Sequence, residues 1–570
     1  MPVSPRNKTP LGAIAAPGLV IAGFLIGIAA WMLPVNLKSL SPALLQAAGS
    51  GTPTLGAYGR DLVDVEKIGA AGLVLGAARS SGDPRAPALQ QALDQFAARQ
   101  PGIVAWGGWD PFLDPLFNLR SAAGKGVSTP VVTFMITEKA RTTLRNYLAN
   151  SGSQAVQAFL QLRELTATGR FVPATRPGGQ SLETMILLTG LLYQGGHLSA
   201  SLQRELRALA DTAVKQKALG DLETFFIDLL SLGRRLDWGQ LAELLRRTDS
   251  TKTMSEYSHL ARVAPDQLPL IYAAALFSDS ADRVAVYLIE FGKQGLEDLK
   301  LALSHGQGAV RQLLLRQVPV NRTATPVLST GAEVALTHPE LMLAIKYLGY
   351  FLGVFLVLRG LDRWLVSPAG LAAVPSALVH MKAGVLALVF AMLLIAVTEP
   401  FLLKAAPLSE YRPRVHLALD ISNSTVAPQS QPVTTMDSST LLSIGIFAAL
   451  QIAMYFACLL KIREVARQAV SPLVKLRLME NEENLFDGGL YVGIGGTAAA
   501  LVLQVLGVIE PNLLAAYSSN LFGITCVALV KIRHVRPYKR QLILEGQVGA
   551  DPVREANEPS VRSARGAAAL

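Results

Sequence analysis

Apolar and polar positions divide this chain sharply. Six blocks are continuously apolar: residues 11–35, 341–358, 383–403, 441–460, 490–509 and 513–530. Each is roughly 18–25 residues long, the length a helix needs to cross about 30 Å of hydrocarbon. Only helices or closed barrels satisfy every backbone group there, and unbroken apolar runs without alternation predict helices. A buried helix of a soluble protein accommodates one such block, but not six with charged flanks. Between the first two blocks the pattern changes. Residues 36–340 read as almost entirely helical, and about 221–318 carry apolar positions at i, i+3/i+4 and i+7, as amphipathic helices do, while 36–130 are less regular. Trp238, Leu241, Leu244 and Leu245 share a face. So do Met254, Tyr257 and Leu260, then Val284, Leu288 and Phe291, then Leu296, Leu299 and Leu303. Asp237 followed by Gln240 has the form of a capping box opening a helix.

These helices fall into pairs starting near 237, 266 and 294, about 28–29 residues apart. That spacing is in the range of helical hairpins, which stack because one pair alone cannot bury its apolar face. The expected fold is therefore all-α: six transmembrane helices and a large extracytoplasmic, solenoid-like helical domain between the first and second. The tetratricopeptide pattern and its 34-residue period are not present. Residues 319–335 read as a linker into the second span.

Composition supports the membrane reading. Of 570 residues, 51% are apolar even before 48 glycines are counted, and only 16% are charged. Soluble domains average about 25% charged. The net charge of +10 is sided. Arg6 and Lys8 precede the first block. Arg359, Arg363 and Lys382 separate the second and third. Lys461, Arg463, Arg467, Lys475 and Arg477 follow the fourth, and Lys531, Arg533, Arg536, Lys539 and Arg540 follow the sixth. The short connections on the opposite side, 404–438 and the turn between the fifth and sixth blocks, hold only Lys404, Arg412 and Arg414. The positive-inside rule then places residues 1–10, 461–487 and 531–570 in the cytoplasm, with 36–340 and 404–438 outside. This topology fits an inner membrane and a periplasmic domain. The first block resembles a signal peptide in its basic start, but its length and Pro17 favour an uncleaved anchor. Both cysteines, Cys458 and Cys526, fall within predicted spans, so no disulfide is expected in the outer domain.

Motifs for chemistry are scarce. Gly124-Lys125 lacks the rest of a phosphate-binding loop, because Leu119 stands where glycine is needed and Gly126 where Ser or Thr should follow. The seven histidines, His197 among them, show no metal-ligand spacing. No catalytic residue, cofactor or metal is therefore expected. Nucleic-acid binding is also not expected, because the basic residues are tied to topology rather than to a folded patch.

Several features remain. The run Trp106-Gly-Gly-Trp109-Asp110-Pro111-Phe112-Leu113-Asp114-Pro115 reads as a partner surface (Trp106, Trp109, Asp110, Asp114), as a loop folded onto the domain by its own aromatics, or as Trp resting at the membrane interface. Val397-Thr-Glu399-Pro400 recurs as Val508-Ile-Glu510-Pro511, each at the outer end of a span, so Glu399 and Glu510 are candidate membrane carboxylates. Lys346 is expected to snorkel to the interface. Gly23/Gly27, Gly349/Gly353 and Gly489/Gly493 give three spans a small-residue face for packing within the bundle or between subunits, and Gln451, Gln504, Ser518, Ser519 and Asn520 can bond across helices. Lys531, Arg533, Arg536, Lys539 and Arg540 are candidate lipid-headgroup contacts, and residues 461–487 suggest an amphipathic segment on the membrane. The end of the chain, from about residue 546, reads as disordered.

One span, a large outer domain and five further spans is an order that resembles half of an RND-type or SecD/SecF-type membrane protein, and some ABC-2 permeases. The resemblance is one of topology, and no functional residue is carried over from it. The leading expectation is an inner-membrane scaffold or assembly subunit that binds protein or envelope partners, or a second copy of itself. The rival is a transporter, channel or secretion subunit using Glu399 and Glu510. A membrane enzyme comes third.

Overall fold

The computed structural model describes residues 11–120, 126–322, 329–365, 376–402, 409–411, 438–505 and 513–548. Among them the chain is all-helical, with no β-strand beyond two isolated bridges. Glu510, Gly124-Lys125, most of 404–438, the middle of the 319–335 linker and the tail from 549 lie outside the described residues.

The chain divides into two compact units. One comprises Ser39–Ala324 with Ala406–Ser424; the other comprises Met1–Lys38, Thr325–Ala405 and Thr425–Leu570. The second unit opens the chain with α1 (Leu11–Trp31).

The helical array of the first unit begins with α2 (Pro42–Gly49), α3 (Leu55–Asp64), α4 (Ile68–Ser81), α5 (Ala86–Arg99), α6 (Pro101–Trp106) and α7 (Asp114–Phe117). It continues with α8 (Val131–Met135), α9 (Glu138–Ala149), α10 (Gln154–Gln161), α11 (Gln180–Gln194), α12 (Ala200–Gln216) and α13 (Leu222–Gly233). It ends with α14 (Trp238–Leu245), α15 (Thr251–Val263), α16 (Leu268–Ser278), α17 (Ala281–His305) and α18 (Gln307–Arg316).

Within this array, helices pack on the one two positions further along. α9 meets α11, α11 meets α13, α13 meets α15 and α15 meets α17, while α10 meets α12, α14 meets α16 and α16 meets α18. Such i, i+2 packing arises because each short amphipathic helix leaves an apolar face for the next pair to cover. α17 is kinked at Gly292 (φ 55°), whose backbone leaves the helical region there. α17 packs on both α16 and α18. α4 closes the array by packing on α14, α16 and α17. The ends are tied by Leu40 N–H to Pro319 O (2.9 Å) and Asn321 N–H to Leu40 O (2.8 Å). Buried Asp298 accepts from Val320 N (2.9 Å) and Tyr287 OH (3.1 Å) beside Arg322.

The second unit resumes with α19 (Ser329–Thr337), α20 (Pro339–Leu365), α21 (Ser376–Thr398), α22 (Ser438–Arg467), α23 (Pro472–Asn481), α24 (Glu483–Phe486), α25 (Gly488–Val505), α26 (Leu513–Leu529) and α27 (Arg536–Val548). Among the described residues, each of the six apolar blocks falls largely on a helix of this unit. Among the described residues one helix, Pro339–Arg363, is long and apolar enough to cross a membrane, and Ala16–Trp31 and Ala383–Ile395 are apolar but shorter. α1 packs on α20, α20 on α21 and α21 on α22, while α25, α26 and α22 form a second group. A π-helix, Val530–Val535, joins α26 to α27, and α23 lies against α27. Residues 461–487 are therefore three helical pieces: the end of α22, then α23 and α24.

Candidate functional site

The Trp-Gly-Gly-Trp segment is built by local geometry. Gly107 (φ 82°) closes α6, with Gly107 N–H bonded to Val104 O and Gly108 N–H to Ile103 O, so the chain turns sharply after Trp106. Trp106 is thereby turned inward, 4.3 Å from the Phe134 ring centroid and stacked on it. Asp110 is also buried. Its Oδ1 accepts from Phe112 N (2.8 Å) and Leu113 N (3.2 Å), and its Oδ2 from Trp238 Nε1 (3.1 Å). Trp106 and Asp110 are thus interior and cannot form a partner surface. The surface reading narrows to Trp109 and Phe112, each 38% exposed, with Asp114 half-exposed. Arg120 sits over the Trp109 ring at 5.2 Å.

His197 faces Asp110 from the end of α11. Gly196 (φ 66°) lets His197 N–H reach back to Leu192 O, the turn that glycine favours after a helix. His197 Nε2 lies 3.0 Å from Asp110 Oδ2, and Nδ1 lies 2.8 Å from an Arg246 guanidinium nitrogen. A guanidinium only donates, so Nδ1 must offer its lone pair and the ring proton belongs on Nε2, facing the carboxylate. Burial pushes the Asp110 carboxyl up, but the His197, Trp238 and Phe112 donors together hold it below its ordinary range. The histidine is enclosed between Trp238 and Phe112, which closes it to substrate. This is a positioning network, not an exposed acid–base pair.

Arg246 continues it to Glu243 (3.1 Å), which also holds Lys67 (2.8 Å) and Arg247 (2.8 Å). Burial raises Glu243, and Lys67 and Arg247 outweigh that and lower it. Asp237 stands apart. It forms the expected capping box with Gln240 and also accepts from Ser128 Oγ (2.6 Å), but no cation pairs with it among the described residues. Burial raises its carboxyl to about 7. Gly69 and Gly107 must be glycines here, because a Cβ at either would lie within 2.2 Å of an Asp237 oxygen.

A third cluster had no motif to announce it. Glu183, in the first turn of α11, is buried and receives Arg141 (2.7 Å), Arg145 (3.0 Å) and Arg163 (3.0 Å). The available signals were weak: an i, i+4 arginine pair on α9, and a single carboxylate heading the buried run Leu182–Leu192.

In the second unit Lys346 does not snorkel. It is 2% exposed and Glu399 1% exposed, with Nζ and Oε1 3.6 Å apart. Lys346 Nζ donates to Val35 O (2.5 Å) and Asn36 Oδ1 (2.7 Å). Glu399 accepts from Tyr347 OH (2.9 Å) and Leu37 N (3.0 Å). The pair binds the exit of α1, the first turns of α20 and the end of α21 together. Glu510 lies outside the described residues, so no pairing of the two carboxylates is described.

The glycines lie in helix contacts. A Cβ on Gly23 would fall 2.5 Å from Gly353 O, one on Gly349 2.8 Å from Ala30, and one on Gly493 3.0 Å from Ser519 O. Gly489 is bonded through its carbonyl to Gln451 Nε2 (3.1 Å), a side chain passed between helices. Gly27 presents backbone to Gly353, while its own Cβ direction is open. Lys531 is held within the chain by Asp487 (2.7 Å) and Glu483 (3.8 Å), which turns this residue from headgroup contact to internal tie. Arg533, Arg536 and Arg540 are exposed and Lys539 is half-exposed. Among the described residues no three His, Cys, Asp or Glu side chains gather as a metal site.

Comparison with protein-family models, with curated proteins and with solved structures finds no match to this chain. Among the described residues the structural class is that of an all-α protein.

Proposed function

We propose that this protein is a multi-pass inner-membrane scaffold or assembly subunit. In this reading the six apolar helices span the membrane, both termini are cytoplasmic and the helical array stands in the periplasm. The array binds a protein partner through the loop that carries Trp109 and Phe112. The observation that carries the proposal is the contrast within that loop. Its backbone is fixed by the Asp110 turn and by Trp109 N–H to Glu66 O (3.2 Å), yet both aromatic side chains stay more than a third exposed. Large aromatics beside an arginine are the usual composition of binding hot spots, and a rigid loop loses little entropy when it docks.

The transport reading has less support. A carboxylate that loads and releases an ion needs a free coordination position, and Glu399 is occupied by Lys346, Tyr347 and the Leu37 amide. The test is Trp109→Ala with Phe112→Ala in the full chain, isolated from native membranes. The expected result is loss of a stoichiometric partner while the array stays folded by circular dichroism. Retention of that partner, or a wild-type chain that carries none, overturns the proposal.

A further inference from the structure

We propose that Arg141, Arg145 and Arg163 form a binding site for a phosphate group. Three guanidinium groups share one carboxylate, Glu183, so the cluster keeps two positive charges that no other carboxylate among the described residues pairs with. The excess is buried: the Arg141 and Arg163 side chains are 12% and 19% exposed. Burying uncompensated charge is costly, and a structural tie between α9 and α11 needs one arginine rather than three. Each guanidinium also keeps unused donors. The Nε atoms of Arg141, Arg145 and Arg163 have no hydrogen-bond partner, and neither does Glu183 Oε1, whose contacts with Arg145 and Arg163 are ion pairs.

These observations together specify the ligand. Two missing negative charges match a phosphate dianion, and planar guanidinium forks are suited to its oxygens. Arg145, 40% exposed, marks the side open to solvent. Glu183 then acts as an internal anion that holds the three arginines in place and keeps the empty site from repelling itself apart. The phosphate is either free or carried on a small headgroup such as a glycerol ester. This inference is independent of the scaffold reading, because its residues are far in sequence from Trp109 and Phe112 and share no bond with them.

Isothermal titration of the full chain in detergent, in a phosphate-free buffer, tests it with two probes: inorganic phosphate and glycerol 1-phosphate. Saturable binding of either is expected, weakening as salt is raised. The tighter probe tells whether the ligand is free phosphate or an ester. Arg145→Gln should weaken binding about tenfold, the loss of one charge-assisted contact. Glu183→Gln should tighten it, because it removes the competing anion; a merely structural carboxylate predicts only destabilisation. If Glu183→Gln fails to fold, Arg145→Gln, at a half-exposed position, decides the matter alone. Failure of the wild type to bind both probes at millimolar concentration overturns the proposal, as does unchanged affinity in Arg145→Gln.

Discussion

Asp237 should make the helical array less stable as pH rises, against the usual behaviour of a carboxylate. Its side chain is 1% exposed and faces Ser128, the Gln240 amide and the backbone at Gly69 and Gly107, with no cation among them. Burial carries the folded-state value to about 7, from 3.8 in the open chain. Below about pH 4 both states hold the proton and the group contributes nothing to the balance. Between about pH 4 and pH 7 the unfolded chain has released its proton while the folded chain keeps it. Stability falls by about 1.4 kcal/mol per pH unit in that window, about 4 kcal/mol in all, and is flat above it. Asp237→Asn is neutral at every pH and still accepts at the helix cap, so it removes the slope without removing the cap.

The assay is the thermal melt of wild type and Asp237→Asn in the same detergent, followed by near-ultraviolet circular dichroism from pH 4.5 to about pH 8.5. Other groups titrate over this range, and subtracting the variant removes them. The difference between the two curves should grow with pH and level off near 7. At roughly 2 °C per kcal/mol for a domain of this size, the full change is about 8 °C. A difference that stays constant with pH would show that Asp237 ionises normally, and would refute the argument from burial.

Two further predictions concern the apolar helices. Lys346→Met leaves Glu399 buried without its cation and should cost about 3–5 kcal/mol, whereas Lys346→Met with Glu399→Leu should recover most of that; equal losses in single and double variants, measured by denaturant unfolding in detergent, would deny the pair. Gly23→Ala drives a methyl to 2.5 Å from Gly353 O and should cost about 1–3 kcal/mol, while Gly27→Ala meets nothing within 4 Å and should be neutral or stabilising; the reverse ranking in melting temperature would overturn the α1–α20 packing.

What was legible in the sequence was local. An apolar block states its own helix, because the period and the length are contained in the block. The capping box of Asp237 and Gln240 was readable three residues apart, and so was the small-residue face of Gly349 and Gly353. Long-range pairings were not. Asp110 and Trp238 meet across 128 residues, and Arg141 and Glu183 across 42. Nothing in either neighbourhood names the other partner. Lys346 shows why such residues are misread singly. A lysine near the end of an apolar helix has two ways to satisfy its charge: reach water or find a carboxylate. The first needs no partner, so inspection of one segment prefers it. The second needs Glu399 at matching depth on another helix, which depends on how the helices align. The same holds for Glu183: a carboxylate heading an apolar run implies that a compensating cation exists, without saying that three will come. A lone polar residue in an apolar stretch is therefore evidence of a contact still to be found. How many groups answer it separates a structural tie, as at Lys346 and Glu399, from a site with charge left over, as at Glu183.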